Sequence, residues 1–180
     1  METPVSPNEV TLAQPNDLAS LKELIIKANE YSVAVSGKPQ WKDWSIVLPR
    51  LEKFLGDNQT HIVRQGENIT GAISLNESDP AWGEASSDGN ALYIHQLMKD
   101  PEIDQKGIGV LLLGFAAKEA IVRNKSFLRC DTAEDLPTLI DYYKKFGFKE
   151  VGSIKYPTFD RMGILLEATP GNVLSKSESM

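Results

Sequence analysis

The chain has 180 residues, 41% of them hydrophobic and 24% charged, and its formal net charge is −6 at pH 7. This length predicts one globular domain, and the lone Cys130 cannot form an internal disulfide, so we expect a cytoplasmic protein. The acidic balance and the short apolar runs argue against nucleic-acid binding and against a membrane span, and they are compatible with a cationic partner such as an amine.

The first part of the chain predicts a lead-in, a strand and a helix. Residues 1–8, with two prolines, are expected to be a flexible N-terminus, and Glu9–Ala13 a short first strand. Pro15-Asn16-Asp17 is a capping signal, and the apolar positions from Leu18 to Ala28 recur at helical spacing.

A second helix and a hairpin follow. The apolar residues between Trp44 and Leu55 fit a helix, although Pro49 would interrupt it unless the helix begins there. Thr60–Arg64 and Ile69–Leu75 predict two strands that are joined by a short turn containing glycine.

The middle of the chain predicts a long loop, a strand, a helix and another strand. Residues 76–90 form a polar loop that holds Trp82, and loops of this length often line a site. Leu92–Met98 predicts a fourth strand, 107–123 an amphipathic helix and Phe127–Asp131 a fifth strand.

The last part predicts one more helix, two closing strands and a tail. Asp135 is expected to cap a helix that has Pro137 in its first turn and ends at Gly147. The closing strands are Lys149–Ile154 and Met162–Glu167, and 169–180 is expected to be a disordered tail. The element order predicts an α/β fold with a mixed sheet and helices on both faces.

A glycine turn between the fourth strand and the following helix is the first functional signal. Gly107 and Gly109 lack side chains, and a strand that leads through such a turn to a helix N-terminus forms an anion site from backbone N–H groups. By itself, such a pair of glycines is about as typical of an ordinary turn as of an anion site.

A second signal lies about 35 residues later, in the segment Asp141–Phe148, where a helix with two adjacent tyrosines ends on Gly147. Ordinary packing of a helix against the sheet explains most of this pattern. Tyr143, however, lies on the inward stripe, where a phenol needs a partner and could donate a proton in a cleft.

Together the two motifs, DQKGIGVLLLGFAAKEA and LIDYYKKFGF, resemble the GNAT (Gcn5-related N-acetyltransferase) superfamily. The resemblance covers nearly the whole chain and implies a GNAT domain over 9–168. It implies a mixed, mostly antiparallel central sheet of about seven strands flanked by about four helices. It also implies an acetyltransferase that uses acetyl-CoA.

The resemblance also implies where acetyl-CoA would bind. Its pantetheine would pair with the fourth strand and its diphosphate with the glycine loop, and Tyr143 would protonate the departing thiolate. The cofactor-binding residues implied in this way are Leu97, Met98, Lys99, Asp104, Gln105, Lys106, Gly107, Ile108, Gly109 and Tyr143.

The amine acceptor and the base are less defined. Strand alternation places Tyr93 and His95 on one face, and either is a candidate for the catalytic base, with His95 having the better pKa at neutral pH. Trp82 and Glu84 are candidate substrate-binding residues in the loop before the fourth strand. We expect direct attack by a primary amine of a small molecule or peptide, and a homodimer is compatible with the family.

Three positions depart from the family pattern, and one of them is Lys99, which replaces the usual apolar residue near the end of the fourth strand. Asp104 stands where Gln or Arg is usual, and Leu136 where many members have Asn. Asp104 and Leu136 motivate the alternative hypothesis of a non-catalytic GNAT-fold module that senses acyl-CoA or acts through protein contacts.

Overall fold

A computed structural model describes residues 9–158 and 160–180, so the predicted flexible N-terminus, 1–8, lies outside the described part. The described strands form one sheet in the order β1-β2-β3-β4-β5-β7-β6, and only the β4–β5 pair is parallel. This confirms the predicted mixed, mostly antiparallel sheet. The strands are β1 (Val10–Leu12), β2 (Thr60–Gln65), β3 (Asn68–Asn76), β4 (Ala91–Lys99), β5 (Phe127–Ala133), β6 (Lys149–Lys155) and β7 (Met162–Ala168).

Helices cover both faces of the sheet because successive strand residues point to opposite sides. On β2, Ile62 packs under α1 and α2, and the next residue, Val63, packs under the helices of the other face. Both are at most 1% exposed. The α-helices are α1 (Leu18–Ser36), α2 (Trp44–Gly56), α3 (Ile108–Val122), α4 (Pro137–Lys145) and α5 (Pro170–Glu178).

Two helix starts differ from the prediction. Helix α2 begins at Trp44 and continues through Pro49, because the missing proline N–H leaves only the carbonyl of Ser45 without its helical donor, and both residues are exposed to water. Helix α4 is not capped by Asp135. Its N-cap residue is Leu136, and the Asp135 carboxylate instead accepts hydrogen bonds from Arg161 at 2.9 and 2.6 Å.

The predicted disordered tail forms helix α5, which corrects the assignment of 169–180. The serine-rich composition masks two apolar positions, Val173 and Leu174, that pack against the core cluster containing α3. Burial of Val173, which is 0% exposed, holds a helix that has little apolar period of its own. This helix is additional to the four that were expected.

The polar loop 76–90 also contains structure, a 3-10 segment (Pro80–Ser87) that Asp79 caps by accepting a hydrogen bond from the N–H of Ala81 at 2.9 Å. In the described part of the chain, none of the helices combines the length and the apolar character that a membrane crossing requires.

The feature of the fold that positions the site is the divergence of β4 from β5. The two strands pair only from Ala91↔Phe127 to Tyr93↔Arg129. Beyond Tyr93 a bulge shifts the register of β4 against β3, and Gln96 adopts a positive φ of 48°. A bulge bends its strand and leaves backbone groups without a ladder partner. The second half of β4 therefore turns away from β5.

Candidate active site

A groove of about 360 Å³, here called the strand groove, lies where the end of β4 faces α1 and α4. Its walls are the end of β4, from Leu97 to Lys99, the start of α4, with Leu136, Leu139 and Tyr142, and the second half of α1, from Ala28 to Ser36. Because β4 has no β5 partner at this level, its backbone can bind a ligand as a strand would. These are the β4 residues that the sequence predicts for the pantetheine.

The glycine loop lies at the N-terminus of α3, and its two glycines are needed for different reasons. Gly107 is the N-cap residue with a φ of 83°, a left-handed conformation that glycine adopts without steric cost. Gly109 has an ordinary φ, but a Cβ there would overlap the hydroxyl of Tyr142. The second glycine therefore makes room for a groove side chain as well as for a ligand.

The rest of the predicted diphosphate loop is open to solvent. Asp104 and Lys106 are exposed, whereas Ile108 is 1% exposed and belongs to the core. Among the described residues neither Asp104 nor Lys106 takes part in an ion pair. An exposed carboxylate can turn away from an anion, so the fold leaves room for a phosphate here.

A second space, here called the inner cavity, adjoins the groove at Leu97 and Gln40 and has a volume of about 280 Å³. Its lining combines apolar surface with polar and charged groups that come from separate parts of the chain. The groups that bear on its chemistry are Lys42 before α2, Arg50 on α2, His95 and Gln96 on β4, Asp131 and Thr132 on β5, Tyr143 on α4, Tyr156 after β6, and Arg161 before β7.

His95 is enclosed in this cavity and uncharged at neutral pH. Burial lowers its pKa to about 4, although the nearby charge of Asp131 opposes that shift. Its ring lies 5.2 Å from that of Phe54, and its Nε2 lies 3.4 Å from Asp79 Oδ2. His95 therefore lines a cavity, with a neutral imidazole whose lowered pKa makes it a weaker base than an exposed histidine.

Asp131 is the acidic group of the cavity. Its Oδ2 accepts a hydrogen bond from the Tyr156 hydroxyl at 2.6 Å. Burial raises the pKa of Asp131, the Tyr156 hydrogen bond lowers it in part, and the charge of Asp79 raises it further. A carboxylate with a raised pKa is a better proton acceptor than an exposed one.

Tyr143 reaches the same cavity from α4. Burial raises the pKa of its phenol well above 10, and the nearby Cys130, Tyr142 and Asp131 add to this effect. Its ring packs edge-on against Phe148, with centroids 5.3 Å apart. The hydroxyl is not hydrogen-bonded to any of the residues that the structure describes, so a protonated phenol is available for a ligand.

The predicted loop residues 104–109 line neither the cavity nor the groove, and the same holds for three of the predicted catalytic and substrate-binding residues. Tyr93 is 1% exposed, and its hydroxyl is 3.1 Å from Nη1 of Arg129 and donates to the carbonyl of Ala85. Trp82 packs under the same guanidinium, whose carbon lies 4.9 Å from the indole ring. Glu84 is exposed on the 3-10 segment. Trp82 and Tyr93 therefore form a structural cluster around Arg129.

Sequence reasoning missed Asp131, Tyr156 and Arg50. Asp131 lies at an alternating position of a strand, and a polar residue that faces solvent would give the same sequence pattern. No local sequence pattern predicts that the segments carrying Tyr156 and Arg50 lie next to β4. The divergence of β4 and β5 is what makes them neighbours.

The chain matches the model of the Acetyltransferase (GNAT) family over residues 18–148. No curated protein matches it significantly in sequence.

Solved structures share its fold at low identity. A putative acetyltransferase, YncA from Salmonella typhimurium with its cofactor acetyl-CoA, is 15% identical with a TM-score of 0.65, over 90% of this chain and 93% of that one. The spermidine N-acetyltransferase from Vibrio cholerae in complex with CoA and spermine is 17% identical with a TM-score of 0.63, over 92% and 97%. The ribosomal-protein-alanine N-acetyltransferase from Brucella melitensis is 16% identical with a TM-score of 0.63, over 89% and 99%.

Proposed function

The chain belongs to the GNAT family of acetyltransferases, and from that membership we propose that it transfers the acetyl group of acetyl-CoA to a primary amine. The observation that carries the proposal is the junction of two spaces at Leu97. A long apolar groove meets a polar cavity at the point where β4 leaves β5. A thioester and an amine held in the two spaces would meet there, and positioning of this kind supplies a large part of a transfer rate.

We assign the groove to acetyl-CoA. The pantetheine would lie along Leu97, Met98 and Lys99, and the diphosphate would lie on the loop 104–109, where the N-terminus of α3 directs N–H groups outward. Support comes from the missing β5 partner of β4, from the positive φ of Gly107, and from the apolar opposite wall at Leu136 and Leu139.

The reaction would proceed by direct attack. The amine nitrogen forms a bond to the thioester carbonyl carbon, and the C–S bond breaks after the tetrahedral intermediate. The Tyr143 phenol gives its proton to the departing thiolate, so that the products are an N-acetylated amine and free CoA. A raised pKa keeps this phenol protonated at neutral pH, as a proton donor must be.

The amine arrives as an ammonium ion and must lose a proton before it attacks. We assign proton acceptance to His95 and Asp131 together, because both are enclosed in the inner cavity and each affects the pKa of the other. Two groups coupled in this way titrate as a pair. Tyr93, the other candidate base, hydrogen-bonds outside the cavity.

Cys130 supports the direct route. It is buried, and burial raises the pKa of its thiol well above the ordinary value, so little nucleophilic thiolate would form. Loss of activity in Cys130→Ala with intact CoA binding would contradict direct attack. A cytoplasmic location is part of the proposal and rests only on this single cysteine.

The experiment that tests the proposal combines calorimetry with thiol release. We expect acetyl-CoA to bind, and CoA thiol to appear when a suitable amine is added. Absence of heat and of a thermal shift at millimolar acetyl-CoA would overturn the assignment of the groove. Tight binding without thiol release across amine classes would instead favour the non-catalytic, acyl-CoA-sensing module.

A further inference from the structure

The inner cavity carries a charge opposite to that of the chain. The protein as a whole has a net charge of −6, yet three cations line this cavity, Lys42, Arg50 and Arg161, against one lining carboxylate, Asp131. Arg161 is neutralised by Asp135, which accepts two hydrogen bonds from its guanidinium. The excess positive charge therefore resides on the other two side chains.

Lys42 and Arg50 form no ion pair in the described chain, although the charge of Lys42 acts on Asp135 and that of Arg50 on Asp79 and Asp131. Neither takes part in any ion pair among residues 9–158 and 160–180, although most other cations of the protein do. Both residues are exposed, whereas His95 and Asp131 are partly buried, so the two cations lie at the rim. Two unpaired cations at the rim of a cavity provide a site for a carboxylate.

The charge of Arg50 acts inside the cavity and not only on its rim. Burial is the main cause of the pKa shifts of Asp79, His95 and Asp131, and the charge of Arg50 is a smaller contribution that lowers the pKa of each. An anion held by Arg50 would therefore lie close to the groups that we assign to proton acceptance.

The cavity also has free hydrogen-bond acceptors at its inner end. Gln96 is 8% exposed and donates to the carbonyl of Val47, but its Oε1 has no hydrogen bond from any described residue. Thr132 is 5% exposed, and its Oγ1 is likewise unpaired within the described chain. A buried polar atom without a partner is costly, and the N–H groups of an amine would satisfy both.

We propose that the acceptor is a small amine that also carries a carboxylate, an amino acid in the broad sense. Its amine would enter toward Gln96, Thr132 and Asp131, and its carboxylate would remain at Arg50 and Lys42. This inference rests on the proposed function, whose acceptor it names. The volume of about 280 Å³ suits a small molecule, and a polyamine would bring a second cation against the two unpaired ones.

The first experiment measures thiol release from acetyl-CoA with three matched sets of amines. Glycine, β-alanine and γ-aminobutyrate are compared with their amides and with spermidine. We expect at least one amino acid to exceed its own amide by about 10-fold in kcat/KM, the factor that about 1.4 kcal/mol of differential binding gives. An amide or spermidine that equals or exceeds every amino acid would overturn the proposal.

Two variants test the residues. Arg50→Gln is expected to reduce the preference for the carboxylate about 10-fold through KM, and Arg50→Glu to reverse it in favour of the amide. Lys53→Gln is the matched control, because Lys53 is on the same helix, 71% exposed and paired with Asp57, and it does not line the cavity. An equal effect of Lys53→Gln would contradict a specific role for Arg50.

A binding measurement separates this inference from the proposed function. Calorimetry with the N-acetylated amino acids, with and without CoA, reports the carboxylate site even when no turnover occurs. Binding that Arg50→Gln weakens supports the inference, and binding that is indifferent to Arg50 overturns it. Failure of acetyl-CoA to bind overturns the proposed function. The binding of the N-acetylated amino acids would still test the carboxylate site separately.

Discussion

The strand groove and the inner cavity touch at Leu97 and Gln40, yet they are built from different parts. The groove is lined by α1, the end of β4 and the start of α4, and its surface is mostly apolar. The cavity gathers single polar side chains from separate elements that the fold brings together. A shared substrate needs little more than backbone and apolar surface, whereas the choice of acceptor depends on individual charges. Substitutions in the two regions should therefore separate binding of acetyl-CoA from chemistry and selectivity.

The largest effect that would sharpen this comparison is expected in the cavity, from Asp131→Asn. Loss of the carboxylate removes a proton acceptor, so kcat/KM should fall by about 10²- to 10³-fold while the Kd for acetyl-CoA stays the same. Thiol release and calorimetry measure the two quantities. Asp141→Asn, at an exposed position of α4, is the control and should change neither. A parallel loss of acetyl-CoA binding in Asp131→Asn would break the distinction between the two regions.

The same carboxylate predicts a pH dependence. A base acts when deprotonated, so kcat/KM should fall as the pH drops through the raised pKa of Asp131. For stability, a folded-state pKa above the unfolded value means that ionisation of Asp131 costs folding free energy as the pH rises. Asp131→Asn should therefore raise the melting temperature at pH 8 more than at pH 4. An equal change at both pH values would contradict the burial of this charge.

A smaller effect is expected from the adjacent tyrosines of α4, which face different regions. Tyr143→Phe should lower kcat about 10-fold and leave the KM for acetyl-CoA unchanged, because a thiolate of pKa ~8.5 needs only modest help to leave. Tyr142→Phe, in the groove, should change that KM and leave kcat unchanged. Steady-state kinetics of the pair check this, and an identical response of both variants would contradict the assignment.

Next in size is Gly109→Ala. Its Cβ would overlap the Tyr142 hydroxyl, and overpacking of about 1 kcal/mol should weaken acetyl-CoA binding about fivefold. Adding Tyr142→Phe removes the overlapping oxygen and should restore part of the affinity, as a double-mutant cycle by calorimetry would show. Additive losses in the double variant would argue against this contact.

The smallest effect is expected at the loop. Asp104→Arg replaces an exposed carboxylate with a cation next to the proposed diphosphate position, and should tighten the binding of acetyl-CoA about two- to threefold. The gain should shrink at high salt, since exposed charges are screened. Affinity that is unchanged at low salt would show that Asp104 does not face the diphosphate.

The sequence predicted the parts that depend on local patterns. All seven strands and the first four helices follow from apolar spacing and from turn residues. The tail helix α5 did not, because its stability comes from contacts with α3. The start of α4 was misassigned because Asp135 is a good capping residue whose carboxylate binds Arg161 instead.

The site divides in the same way. Gly107, Tyr143 and His95 were identified from motifs or from strand alternation. The bulge at Gln96 was not, because nothing in a strand pattern reports a positive φ. The roles expected of Trp82 and Glu84 depended on where a loop folds, and that loop folds onto Arg129 instead.

Helix α5 contacts one glycine in α3, whose N-terminus follows the glycine loop, and one just after α4, whose start lines the groove. A Cβ on Gly147, just after α4, would overlap the side chain of Asn172, and one on Gly114 of α3 would lie 2.9 Å from Ser177 Oγ. Helix α5 at the end of the chain thus contacts both α3 and the end of α4. By linkage, a ligand that tightens the groove must also slow the fraying of this terminus. A slower digestion of the C-terminus by carboxypeptidase when a ligand is added would then show that the groove is occupied.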